Sequence, residues 1–304
     1  MTQPIRVVAV GGGHGTAVTL SAARTYAENV TAVVSVADDG GSSGRLRELL
    51  GVPALGDLRK CLVALAADDS VLAQVMSQRY REGELAGHAL GNLLLAGLIE
   101  STGDLVRGVD EASRLLELKG RVLPATTGPV TLRSIVGERM AIGQVAVGQE
   151  GDNQIVSTLP SNPEIPAAVL EAIVAAEQII IGPGSLYTSV LAAAATPGIV
   201  AALRKSRAQR VFVCNLLPEQ PESGGYSVSD HQQALERHGI PIDVTICDTS
   251  AGMGLGDVVG QVQDCDLKGE NGKVHDPQKL ASVLRGLFVD NEREGAIRDG
   301  SSWN

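Results

Sequence analysis

Apolar residues in this chain fall into short runs separated by stretches of helical spacing. Ile5–Val10 is the first run, rich in β-branched residues, and it predicts a buried parallel strand. Gly11–Gly15 punctuates it, Thr16–Ala27 has helical spacing, and Val30–Val36 is a second β run. Strand, glycine loop, helix, strand is the opening of a doubly wound, Rossmann-like α/β fold with a mostly parallel sheet.

The middle of the chain changes character. Leu58–Ala67, Val71–Arg81, His88–Ser101 and Asp104–Lys119 have helical spacing. Thr131–Val136 and Arg139–Gln149 read as an antiparallel hairpin, followed by Ile155–Leu159. Residues 56–160 therefore read as a helical and β insertion within one domain spanning 1–304. After Pro166 the alternation resumes: a helix to Ala176, a strand at Gln178–Ile181, a glycine loop, and a helix from Ser185. Strand Arg210–Cys214, helix Ser229–His238 and strand Ile242–Cys247 follow, and Asp276–Val289 closes the fold as a helix. Gly252–Gly272 reads as a surface loop, and Asn291–Asn304, despite Trp303, as a loose tail.

Composition narrows the function. The chain has 304 residues, 44% hydrophobic and 20% charged, which is ordinary for a globular protein. A net charge of −10 argues against nucleic-acid binding, which needs a basic footprint. Aromatic residues are only 2% while glycines number 36, which suits close approach of backbone to a ligand better than stacking on rings. Cys61, Cys214, Cys247 and Cys265 form no C-x-x-C pair and read as reduced core cysteines. There is no long apolar run for a membrane span and no signal-peptide pattern, so the expected location is the cytoplasm.

Three segments carry candidate chemistry. Gly11-Gly12-Gly13-His14-Gly15-Thr16 follows a buried strand and opens a helix, where free N–H groups face an anion. Thr16 stands where the dinucleotide fingerprint has its third glycine, and no Lys-Ser/Thr follows as in a P-loop. A nicotinamide site is therefore disfavoured, although Asp38 stands near the spacing of a ribose-binding acid. In Ala37–Arg47, Asp38 and Asp39 are suited to Mg²⁺ or a ribose. Ser42 and Ser43 with their glycines suggest an anion nest, and Arg45 and Arg47 add phosphate donors. Gly182-Pro183-Gly184-Ser185, with Thr188 and Ser189, repeats the strand–glycine–helix pattern. The two glycine loops would lie on one sheet edge and grip one phosphorylated ligand. Lesser candidates are Asp57 as a helix cap, His88 and Asn92 on one helix face, and Asn215 at a strand end. His238 and His275 read as surface residues.

The runs Ala37–Arg47, Gly87–Asn92, Gly182–Ser189 and Tyr226–His231 resemble the gluconeogenesis factor (YvcK-like) family. That family lies within the superfamily of 2-phospho-L-lactate transferase, the CofD-like proteins. The resemblance covers nearly the whole chain. It implies a cytoplasmic regulatory protein tied to gluconeogenic growth, and to cell shape through peptidoglycan synthesis. The implied ligand is a UDP-sugar, UDP-N-acetylglucosamine above all, or another phosphorylated small molecule. A homodimer and a protein partner in cell-wall synthesis are further expectations. On this reading Gly11–Thr16 and Gly182–Ser189 hold the diphosphate through backbone N–H groups, and Ser42, Ser43 and Arg45 add donors. Asp38 or Asp39 holds a ribose or Mg²⁺. His88 and Asn92 reach the sugar or base, and Asp57, Asn215 and Tyr226 complete the set. No cofactor is required for binding alone. The enzymatic alternative is a Mg²⁺-dependent transferase like the CofD relatives, with Asp38 and Asp39 as candidate catalytic groups. Few aromatics speak against a deazaflavin. Two departures from the family pattern stand out: His14 replaces a threonine beside the phosphates, and Leu55 replaces a proline before Gly56-Asp57.

Overall fold

The computed structural model describes residues 4–151 and 155–300. β1 (Arg6–Gly11), α1 (Gly13–Ala23) and β2 (Asn29–Val34) come first. They are followed by α2 (Gly41–Leu50), α3 (Gly56–Leu65), α4 (Val71–Ser77), α5 (Leu90–Thr102) and α6 (Leu105–Leu115). Next come β3 (Arg121–Pro124), β4 (Thr131–Val136), β5 (Arg139–Ile142), a short α7 (Gln144–Gln149) and β6 (Ile155–Leu159). The second half opens with α8 (Ala167–Ala175) and β7 (Gln178–Ile181). A π-helical segment (Leu186–Leu191) then runs into α9 (Ala192–Ala194). α10 (Pro197–Lys205), β8 (Gln209–Val213), α11 (Val228–Arg237), β9 (Val244–Cys247), β10 (Gln261–Asp264) and α12 (Pro277–Gly300) complete the chain.

Among the described residues, seven strands form one sheet in the order β10-β9-β8-β7-β1-β2-β3, and every pairing in it is parallel. Helical crossovers cover such a sheet, so its central strands are apolar throughout. All of Gln178–Ile181 is buried, as is β1 from Val7 onward. Strand order reverses between β1 and β7, which pair directly from Val7↔Gln178 to Val10↔Ile181. The turns that leave these two strands open a crevice at their carboxyl ends. A second, antiparallel sheet, β5-β4-β6, stands beside the first.

Backbone meets backbone at the reversal. A Cβ on Gly15 would lie 2.2 Å from the carbonyl oxygen of Pro183, so α1 rests directly on the turn after β7. Thr19 Oγ1 donates to the Gly182 carbonyl at 2.8 Å and fixes the same contact one turn further on. At the other end of the sheet, fully buried Gln178 accepts from the Tyr26 hydroxyl. Its amide donates to Gln209 and to the Leu284 carbonyl, which seats α12.

Several elements differ from the expectation. β3 lies inside residues 56–160 but pairs with β2 in the main sheet, so that stretch is two excursions rather than one insert. Arg139–Gln149 is not one strand: Gly143, at φ +99°, ends β5, and Gln144–Gln149 is helical. Ser42 and Ser43, expected in an anion nest within Ala37–Arg47, lie in the first turn of the helix Gly41–Leu50. β10 emerges from the expected surface loop. α12 extends to Gly300, past the point where a loose tail was expected; residues 301–304, Trp303 included, lie outside the described residues. His275 is buried, its Nε2 3.1 Å from the Cys214 carbonyl oxygen. Half-buried His238 accepts from the Val156 N–H. No single helix among the described residues is long and apolar enough to cross a membrane.

Replacing Gly15 with alanine should be disproportionately costly for one methyl group. The added Cβ meets main chain that cannot swing aside, so α1 must lift off the β7 turn. A loss of about 2 kcal/mol or more is expected in urea denaturation, against the few tenths of a kcal/mol usual for surface substitutions.

Candidate functional site

At the β1–β7 reversal lies a cleft of about 480 Å³. One wall is the start of α1. Gly12 is extended, no side chain caps the helix, and its first turn holds no acid. The N–H groups of Gly13, His14 and Gly15 are therefore unclaimed by the helix, and these three residues line the opening. Gly12 has no room for a side chain, because a Cβ would sit 2.7 Å from Asp57 Oδ2. His14 lies at the rim. Partial burial and Lys60 beside it hold its imidazole below the usual histidine range, so at neutral pH it is an uncharged group.

Asp38 and Asp57 face the cleft together, from the β2 turn and the first turn of α3. Burial pushes the Asp38 carboxyl up, and the Asp57 charge pushes it further. The Gly40 N–H, the Ser43 hydroxyl and Lys60 oppose that shift. Lys60 Nζ lies 2.9 Å from Asp57 Oδ1, on the next turn of the same helix. Asp57 is thus an ion-pair partner rather than the cap of α3, whose N-cap position is Leu55. Asp39 points elsewhere. Its two oxygens accept from the N–H groups of Gln144 (3.0 Å) and Val145 (2.9 Å), capping α7 and tying it to the β2 turn. The expected pair of neighbours is therefore replaced by Asp38 and Asp57, nineteen positions apart in the sequence. Among the described residues no three His, Cys, Asp or Glu side chains gather as a metal cage. Mg²⁺ ordinarily takes one or two carboxylates and completes its shell with water and ligand phosphate, and Asp38 with Asp57 supplies that donor set.

The turn after β7 is less open than its sequence suggests. Asn215 clamps it: the Gly184 N–H donates to Asn215 Oδ1 (2.8 Å), and Asn215 Nδ2 donates back to the Gly184 carbonyl (3.0 Å). The N–H groups of Tyr187 and Thr188 both donate to Oε1 of Glu222, at 2.5 and 3.1 Å. The Thr188 hydroxyl donates to Oε2 at 2.7 Å. Glu222 is 5% exposed, and burial pushes its carboxyl up against the pull of these donors. Ser185, Thr188 and Ser189 still line the cleft. Gly15, Pro183, Gly184 and Asn215 also border an adjoining recess of about 240 Å³, shared with His14 and Glu219.

The remaining candidates build the fold. The Thr16 hydroxyl is fully buried and donates to the Gly12 carbonyl, over the start of the helix, where Gly11 ends β1. Ser42, His88 and Asn92 belong to a buried chain that does not reach the cleft. Arg59 Nε donates to Asn92 Oδ1 (3.0 Å), Asn92 Nδ2 donates to Ser42 Oγ (3.3 Å), and Ser42 Oγ lies 2.9 Å from His88 Nδ1. The only direction that satisfies every member has the serine hydroxyl donating to His88. This chain joins α2, α3 and α5. Ser43 serves Asp38, and Arg45 ties α2 to the Ala86 carbonyl. Tyr226 is a core residue, its hydroxyl 2.8 Å from that of Tyr187 and its ring edge-on to His231.

The residues that sequence reading missed are Lys60, Gln144, Glu219 and Glu222. Lys60 carried a signal, since it stands three residues after Asp57 on a helix and shares its face. Gln144 was hidden by the strand reading of Arg139–Gln149. Glu219 and Glu222 lie in an irregular connection with no periodicity to place them.

Fold and cleft together define a doubly wound α/β protein with a cleft at the topological switch point. The family model for 2-phospho-L-lactate transferase CofD matches residues 7–257. The gluconeogenesis factor of Halalkalibacterium halodurans is 42% identical over 79% of this chain and 76% of its own length. That of Bacillus subtilis is 37% identical over 78% and 76%. A crystal structure of a UPF0052 family member from Bacillus halodurans superposes with a TM-score of 0.87 at 35% identity. The match covers 93% of this chain and 99% of that one. The chain belongs to the gluconeogenesis factor family within the CofD-like superfamily.

Two substitutions separate structural from cleft roles. Asn92→Ala removes the acceptor of a guanidinium buried at 5% exposure and should cost about 2–3 kcal/mol in urea denaturation. Asp38 titrates higher folded than unfolded. Its contribution to stability is therefore present at low pH and lost as pH rises through the folded value. Asp38→Asn, which keeps the acceptor for the Gly40 N–H, should melt higher than the parent at pH 7. The gap should close as pH falls toward about 4.

Proposed function

We propose that the cleft binds a nucleoside diphosphate sugar of the UDP-N-acetylglucosamine kind, and that the protein is a cytoplasmic regulatory factor for gluconeogenic growth, cell shape and peptidoglycan synthesis. One observation carries the binding reading: the uncapped start of α1, with the N–H groups of Gly13, His14 and Gly15 unclaimed, opens at the strand-order reversal. Oriented donors and the helix dipole favour a phosphate there. The cleft volume of about 480 Å³, with a recess of about 240 Å³ beside it, is in the range of small-molecule sites. Relatives named gluconeogenesis factor support the gluconeogenic part of the reading.

Carboxylates oppose phosphate unless something lies between them. Asp38, Asp57 and Glu219 line the same cleft as Lys60, and Asp38 and Asp57 are the residues that would hold a Mg²⁺ ion. The ion would neutralise charge on bound phosphate oxygens. The same carboxylate pair favours a second reading, a Mg²⁺-dependent transferase like the CofD relatives, since phosphate chemistry needs metal and cradle together.

Melting curves with UDP-N-acetylglucosamine, UDP-glucose, GDP and a deazaflavin, each with and without Mg²⁺, distinguish the readings. A ligand at a hundred times its Kd adds about 2.7 kcal/mol of stability, a shift of several degrees. A shift with UDP-N-acetylglucosamine, enlarged by Mg²⁺, is expected. Silence with every UDP-sugar defeats the first reading, and a shift that needs Mg²⁺ and deazaflavin together establishes the second.

A further inference from the structure

The polar groups on the far wall of the cleft have their hydrogen-bond directions fixed from behind. Thr188 lines the cleft, and its only hydroxyl proton is spent on Glu222 Oε2. Its oxygen retains lone pairs and has no proton left for a ligand. Glu222 also takes the N–H groups of Tyr187 and Thr188, and Asn215 takes that of Gly184. The Thr188 hydroxyl and these three N–H groups are therefore consumed by the protein itself, while Ser185 and Ser189 carry the remaining hydroxyls of this side. Gln144, opposite, donates its amide to the Thr188 carbonyl at 2.9 Å. A flipped amide would set two oxygens against each other, so Gln144 Oε1 is the atom left over for the cleft.

We propose that Gln144 and Thr188, held in this state by Glu222, form a pair of acceptors that receives a hydroxyl- or amide-bearing group, the sugar end of the ligand, with phosphate at the start of α1. Glu222 is the positioning residue and Thr188 the specificity-determining one. The inference rests on the nucleotide-sugar reading and adds the polarity of the ligand in the cleft. Hydroxyl and amide protons on a pyranose match this acceptor pair, and phosphate oxygens, which only accept, do not.

Glu222→Gln tests the assignment with little change of shape. The glutamine oxygen can keep both N–H donors of Tyr187 and Thr188. Its NH₂ then donates to Thr188 Oγ1 and turns that hydroxyl proton toward the cleft. Titration calorimetry of the parent and the variant with UDP-N-acetylglucosamine and with UDP, in Mg²⁺, gives the readout. The variant should lose about tenfold in affinity for the sugar nucleotide, the loss of roughly one hydrogen bond, and none for UDP. Thr188→Val, which removes the acceptor, should show the same selective loss, and Thr188→Ser should restore the parent's behaviour. Equal losses for both ligands, or no loss for either, overturn the inference while leaving the nucleotide-sugar reading standing. Failure of the parent to bind either ligand overturns that reading and this inference with it.

Discussion

The contact between Gly15 and the carbonyl of Pro183 is the constraint on which the rest depends. Parallel strands β1 and β7 are hydrogen-bonded neighbours, yet their chains depart in opposite directions around the sheet. The two departing turns must share a space only a few ångströms wide. A glycine at position 15 lets the first turn of α1 sit directly on the turn after β7. That position sets the start of α1, with its unclaimed N–H groups, at the crevice. A side chain there would lift the helix and point those groups at solvent. The site is therefore a consequence of packing at the sheet's centre.

Charge in the cleft is arranged asymmetrically. The start of α1 carries helix-terminal N–H groups and uncharged His14, with Asp57 close against Gly12 and ion-paired to Lys60 on α3. Asp38 enters from the β2 turn with only partial compensation. A carboxyl raised by burial and by a like charge is a group the fold does not need in its ionised form. Asp230 shows the contrast: it closes a capping box with Ser227 and titrates low, as a structural carboxylate does. Asp38 is the opposite case, its carboxyl raised by burial and by the Asp57 charge.

Much of the fold was legible because strands buried on both faces have no polar period to confuse, as β1, β2 and β7 show. β3 and β10 were not, because each is a short edge strand of four residues, and β10, Gln261–Asp264, is polar in three of them. Both glycine turns were placed correctly on one rim. The side chains around them were harder to assign, for a physical reason. A dense cluster such as Asp38–Arg45 supplies hydrogen-bonding groups, and sequence does not say whether they face a ligand or each other. Ser42, His88 and Asn92 satisfy one another around the buried cation of Arg59, and Asp39 caps a helix 105 residues away. Local spacing carries no trace of such partners.

α7 shows how these long-range bonds complete the cleft. Alone, six residues would not hold a helix in water. It exists because Asp39 satisfies its first N–H groups and because Gln144 reaches the carbonyl of Thr188. One end of the antiparallel lobe is thereby bonded to the β2 turn and to the π-helical segment, the two elements that supply Asp38 and Thr188. An atom that moves Asp39 or Thr188 must also move α7, since both anchors lie within its first two residues. The wall of the cleft and the small sheet behind it are thus held together by these long-range bonds.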